Sequence, residues 1–253
     1  MSYKLAPLVL EPLILQEPHF GEGIDEEMRI CFMCDEPAST DDHIPPKCIF
    51  PEQKDVGVDY RKNLITVPAC DNHNLKTSLD DEYLMGVLAF HWRNNKAAYK
   101  QSTTKIKRAF QRNKRYYNLF FGASKHQLLF WNGEQLITAP VDIDRFSFIM
   151  QKIARGIYYH HFNRKWLGDI SIRPISLVAI YDRDPGPIIT PLIQITQQMK
   201  LLCSKQPLNG ANPDIFYYQV AHNNPPTHTI MRLVFYGGFE VIANLSDNPC
   251  GNS

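Results

Sequence analysis

Two short turns carry the residues best suited to hold a metal ion. Cys31-Phe-Met-Cys34 and Cys70-Asp-Asn-His73 each place two soft or borderline donors three positions apart. That spacing lets both side chains of one turn aim at a common point. Two such turns together supply the four-coordinate tetrahedral shell that structural zinc takes. The competing reading treats the thiols as small buried apolar groups. Cys48, just after Pro45-Pro46, fits that plainer description. Between the two turns runs Thr40-Asp41-Asp42-His43-Ile44-Pro45-Pro46. An acid before His43 and a proline turn after it can fix an imidazole at the end of a strand. The carboxylate beside it is suited to a hard cation. The chemistry on offer is proton transfer by an imidazole whose ordinary pKa lies near neutrality.

These residues need elements to hold them. Asn63 opens a β-like run, Asn63-Leu-Ile-Thr-Val67, that leads directly into the second ligand pair. Downstream, Ser78-x-x-Asp81 resembles a capping box. Asp80, Asp81 and Glu82 then read as acids of a first helical turn, where the helix dipole favours them. A basic, helix-compatible stretch spans Lys96 to Phe121. Within it Lys105, Arg108, Arg112 and Arg115 recur at helical spacing, a pattern that suits phosphate contact or a solvated helix face. Asn132-Gly133 between apolar halves signals a hairpin. Phe146, Met150, Ile153 and Ile157 mark a helix, with Arg155 an unusual charge inside it, poised to pair with a buried acid or an anion. Residues 175–181, "ISLVAIY", read as a buried strand. Thr190-Pro191 reads as the cap and first position of a further helix. Residues 214–220, 229–236 and 239–245 read as strands.

The expected organisation is α+β. An arm covers 1–28, the Cys/His-rich module 29–95, a basic connector 96–125, and an α+β domain with an antiparallel sheet 126–253. The chain of 253 residues is long enough to bury a core without staples. A net charge of +1 names no partner, so any nucleic-acid affinity must come from a local patch. No apolar run reaches membrane-spanning length. Prolines and Glu11 interrupt the apolar N-terminal stretch and no small-residue cleavage site follows, so a cytoplasmic protein is expected. Six cysteines in that compartment call for a role other than disulfides.

Taken in order, C-x-x-C, Asp-His-Ile-x-Pro, Asn-Leu and C-x-x-His-Asn resemble the HNH endonucleases over Cys31 to Leu84. The likeness is to the zinc-bearing variant with asparagine as third signature residue. It implies a small ββα-metal module, with a structural Zn²⁺ held by Cys31, Cys34, Cys70 and His73. It further implies that His43 is a general base activating water, and that Asn63 bridges the loop and orients the His43 ring. Asp42 and Asn74 would be ligands of a catalytic Mg²⁺ or Mn²⁺. The implied substrate is DNA, or RNA, and the implied setting is defence or restriction of foreign DNA. Many members carry cysteine where this chain has His73. That leaves two assignments: His73 as the fourth zinc ligand with Asn74 at the catalytic ion, or His73 as the signature residue. A zinc-stabilised nucleic-acid-binding or ligand-sensing protein without catalysis is the alternative function. The residues after Leu128 suggest no mechanism.

Overall fold

The computed structural model describes residues 29–122, 127–131, 134–138, 141–178 and 186–247. The expected arm at 1–28 and the Asn132-Gly133 turn lie outside the described residues. Strand β1, Thr40–His43, pairs antiparallel with β2, Thr66–Ala69, placing Thr40 opposite Ala69 and His43 opposite Thr66. The long connection between them contains a single turn of helix, α1 (Gln53–Val56), stopped at Gly57, which takes φ +80°. Helix α2, Ser78–Ala89, follows the second ligand turn and buries Tyr83, Leu84 and Leu88. The capping box does not form. Thr77 is the N-cap, and its hydroxyl donates backwards to the Asn74 carbonyl at 2.9 Å.

The basic stretch is not one continuous helix. It comprises α3 (Lys96–Gln101), a π-helical segment (Ser102–Ile106), α4 (Lys107–Arg112) and α5 (Lys114–Phe121). Asn113 adopts an extended backbone and its side chain accepts from the N–H groups of Arg115 and Tyr116. A local cap of that kind competes with the helix and breaks it. Strands β3 (Gln127–Trp131) and β4 (Glu134–Thr138) form the expected hairpin.

Helix α6, Ile143–Phe162, is capped by Asp142 and ends at Asn163, which takes φ +50°. Strand β5 (Asp169–Pro174) precedes a helical turn, α7 (Ile175–Val178), where a strand was expected. The expectation fell one element late. The strand that pairs with the sheet ends at Pro174, and Ser176 beyond it accepts from the Glu240 amide. Ala179 to Tyr181 lie outside the described residues. Helix α8, Gly186–Ser204, starts ahead of the expected cap, so Pro191 sits inside it. Strands β6 (Asn209–Asn212), β7 (Phe216–His222), β8 (His228–Phe235) and β9 (Phe239–Ser246) complete a five-stranded antiparallel sheet in the order β5-β9-β8-β7-β6.

Alternation along the strands covers both faces of that sheet. Met231, Leu233 and Val241 join Ile153 and Ile157 of α6 in the main buried cluster. Ile230 and Ile242 meet Cys203 of α8 in a smaller one. The main cluster also contains Cys31, Phe32, Val67 and Leu84, so a continuous core runs from the ligand turns to the C-terminal sheet. Among the described residues no helix is long and apolar enough to cross a membrane.

Candidate metal centre and the histidine beside it

The two ligand turns are brought together by backbone bonds made by their own residues. The Cys31 amide donates to Glu36 O at 2.9 Å, closing the first turn, and Phe32 N donates to Pro68 O at 2.8 Å, docking it on β2. In the second turn, the amides of His73 and Asn74 both donate to Cys70 O at 3.0 Å. The result places Cys34 and Cys70 Sγ 3.7 Å apart. His73 Nδ1 lies 3.4, 3.5 and 3.3 Å from the sulfurs of Cys31, Cys34 and Cys70. A tetrahedral zinc shell separates two sulfurs by about 3.8 Å and a sulfur from a nitrogen by about 3.5 Å. The four ligand atoms therefore fit a metal ion of zinc's size and preference, and all lie within 4.8 Å of one another.

The thiol electrostatics point the same way. Burial pushes Cys34 up to about 11, and the neighbouring thiols of Cys31 and Cys70 add to it. For Cys31 burial also acts upward, but amide donors led by Met33 outweigh it and hold the thiol below its usual value. One thiolate is favoured and a second is opposed, an imbalance that a bound cation would relieve. His73 is one of the four, so the structure groups it with the cysteines.

His43 closes β1 half-buried, opposite Thr66. The Ile44 amide donates to Ile65 O at 3.0 Å and so ties the strand end behind it. Burial holds the imidazole below its usual pKa. Lys47 pushes the same way, Asp42 and Asp41 oppose it, and Arg61 adds a smaller downward push. Among the described residues no hydrogen bond engages its ring. Among the described residues no hydrogen bond joins Asn63 to it: Asn63 is exposed and left-handed (φ +53°), a conformation asparagine tolerates, and backbone bonds bridge the strands.

Asp42 faces inward. It is 4% exposed, and Lys152 Nζ from α6 stands 2.7 Å from its Oδ2 as an ion pair without hydrogen-bond alignment. Lys152 is itself 3% exposed and donates to Thr77 Oγ1 at 2.8 Å. The position next to Asp42 that a catalytic Mg²⁺ would need is thus taken by an ammonium of the same chain. Asn74 turns its amide nitrogen to β1, donating to Thr40 Oγ1 at 2.9 Å and Asp41 O at 3.4 Å. With Asp42 Oδ2 paired to Lys152 and the Asn74 amide nitrogen turned to β1, a divalent ion on these two residues gains no support. Asp81 stands near this pair, and burial pushes its carboxyl up to about 7, against a downward pull from Lys152 and with Asp42 and Asp80 adding to the rise. Asp80 is engaged instead by Arg145 at 2.7 Å.

Lys152 and Arg155 are both charges in the apolar helix α6, and they are satisfied differently. Arg155 donates to the carbonyls of Trp166 at 2.5 Å and Gly168 at 3.2 Å, not to an acid. Lys152 follows Ile149 by three and precedes Gly156 by four, the ridge that meets the end of β1, since a Cβ on Gly156 would strike Ile44.

The basic set divides in two. Lys105 donates to Cys48 O at 3.0 Å, and Arg108 grips Asp55 with two bonds of 2.8 and 2.7 Å. Arg112 stays exposed with only its Nε on Arg108 O, and Arg115 is exposed. Helical spacing had grouped all four, yet Lys105 and Arg108 serve the fold.

No protein-family model, no curated protein and no solved structure matches this chain.

Proposed function

We propose that this chain is a zinc-stapled phosphodiesterase acting on DNA or RNA, with His43 as general base. The observation that carries the reading is the state of His43. It is half-buried, held toward its neutral form, and has no intramolecular partner for its ring among the described residues. A neutral imidazole at a strand end can take a proton from water as the water oxygen bonds to phosphorus and the bond from phosphorus to the leaving sugar oxygen breaks, that oxygen taking its proton from solvent. Lys47 and Arg61 are close enough to act on the His43 charge. They are the candidates to neutralise the phosphate's non-bridging oxygens. A zinc ion on Cys31, Cys34, Cys70 and His73 would staple the turns that flank β1 and β2. The order of motifs supports this reading through its likeness to HNH nucleases. The expected Mg²⁺ on Asp42 and Asn74 would compete with the Lys152 ion pair.

The Lys152–Asp42 pair also favours a second reading, in which the module binds nucleic acid without cutting it. Plasmid cleavage separates the two. Zinc-loaded wild type is compared with His43→Ala at matched zinc content, across Mg²⁺, Mn²⁺ and no added divalent ion. Cleavage by wild type that falls at least about 100-fold in His43→Ala supports the base. Equal rates, or no cleavage in any condition, overturn it in favour of the binding module.

A further inference from the structure

A cavity of about 350 Å³ opens between the Asn63–Thr66 run and the β6 edge, lined among others by Asn63, Thr66, His160, Asn209, Gly210 and Tyr218. Thr66 is the cross-strand partner of His43. Paired residues put their side chains on one face, so Thr66 at the cavity wall shares a face with His43, which does not itself line the cavity. Among the described residues no lysine, arginine, aspartate or glutamate lines it, so these walls offer a phosphate no counter-charge. It offers two carboxamides, that of Asn209 with one amide hydrogen already on Pro207 O at 3.1 Å, together with the exposed ring of His160. That is the equipment for a flat, neutral heterocycle with hydrogen-bonding edges.

The walls are built rather than incidental. Strand β6 is the sheet edge, and its register with β7 shifts between Asn209 and Asn212. Gly210 lies in that irregularity at φ +128°, and a Cβ there would come 2.8 Å from Phe216 O, so bare backbone is required. Asn212 Nδ2 donates to Lys62 O at 3.0 Å, pinning the β6 edge to the residue before Asn63. Tyr218, 2% exposed, gives a rigid floor. The volume lies in the range of small-molecule sites and is ample for one base.

We infer that this cavity takes a nucleobase of the bound strand, unstacked beside the phosphate that His43 faces, with Asn63 and Asn209 reading its edge. This rests on the nucleic-acid reading above but not on cleavage. The test uses full-length, zinc-loaded His43→Ala protein, so that binding is read without turnover. Fluorescence anisotropy compares a labelled single-stranded hexanucleotide with the same strand carrying one abasic position, and inorganic phosphate serves as competitor. The base-bearing strand should bind about ten-fold tighter or more, as stacking and edge contacts allow. Asn209→Ala should erase most of that preference, and Asn63→Gly, which keeps the left-handed backbone, should reduce it. Phosphate should not abolish the preference. Equal affinity for the two strands in the parent, or no binding of either, overturns the inference whatever the variants do. Base preference in a wild type that never cleaves would keep the cavity and sink the base. Cleavage that depends on His43 without base preference would do the reverse.

Discussion

Two places in this molecule were marked by their residue types for a cation, and they have been solved in opposite ways. At Cys31, Cys34, Cys70 and His73, four ligand atoms converge at tetrahedral spacing, and among the described residues no side-chain cation is paired with the thiol sulfurs. At Asp42 the charge is supplied internally, by Lys152. Similar donor chemistry therefore does not imply a similar site. What decides is whether the fold brings its own cation within reach. A thiolate set lacks an obvious side-chain partner at its centre, whereas a single inward carboxylate is readily met by one lysine from a packed helix.

The largest effect should come from the first place. Cys70→Ser and His73→Ala should lose zinc by metal analysis and lose the cooperative thermal transition, because structural zinc contributes on the order of 10 kcal/mol to such small modules. Asn74→Ala should keep its zinc. If Asn74→Ala loses the metal and His73→Ala retains it, the ligand assignment is reversed.

The second place should show its coupling in urea denaturation. Lys152→Met leaves a buried carboxylate unpaired and should cost about 3–5 kcal/mol. Adding Asp42→Asn should restore a large part of that loss. Strict additivity of the two substitutions would mean that the 2.7 Å approach is not an energetic partnership.

A smaller, pH-dependent effect follows for Asp81. Its folded pKa, pushed up to about 7 chiefly by burial, lies above its unfolded value near 4. A raised carboxyl contributes stability that is fully present below the unfolded pKa and lost as pH rises through the folded one. Asp81→Asn should therefore raise the melting temperature more at pH 8 than at pH 5. An equal gain at both would mean that Lys152 neutralises Asp81 as well as Asp42.

The smallest effect tests the same distinction between committed and available charge on the basic helices. Arg112→Ala with Arg115→Ala should reduce the slope of log affinity against log salt by up to about 2 in magnitude. Lys105→Met should leave that slope unchanged, because its ammonium is bound to Cys48 O. An equal change in both variants would return Lys105 to the surface patch.

Much of this protein was legible one segment at a time. The cysteine and histidine spacing predicted the four ligands, because each pair is local to a turn. The period of Phe146, Met150, Ile153 and Ile157 predicted α6, and alternating apolar residues predicted β7, β8 and β9. Errors came where neighbours compete. Asn113 caps a helix that spacing had made continuous, and Pro174 ends a strand that composition had placed later.

Charges were the least legible. Lys152 and Asp42 lie 110 positions apart, and Arg108 and Asp55 lie 53 apart. No local pattern can report that such groups meet. The sequence by itself determined which residues could bind a metal, where the main helices and strands run, and that His43 ends a strand beside an acid. Only the tertiary structure decided which charges remain free, because α6 must pack on the β1–β2 pair before Lys152 can neutralise Asp42. It alone also decided that Thr66 links His43 to a neutral, amide-lined cavity. Spacing along the chain sets what a turn can hold, while burial and long-range packing set whether the held group is still available to anything else.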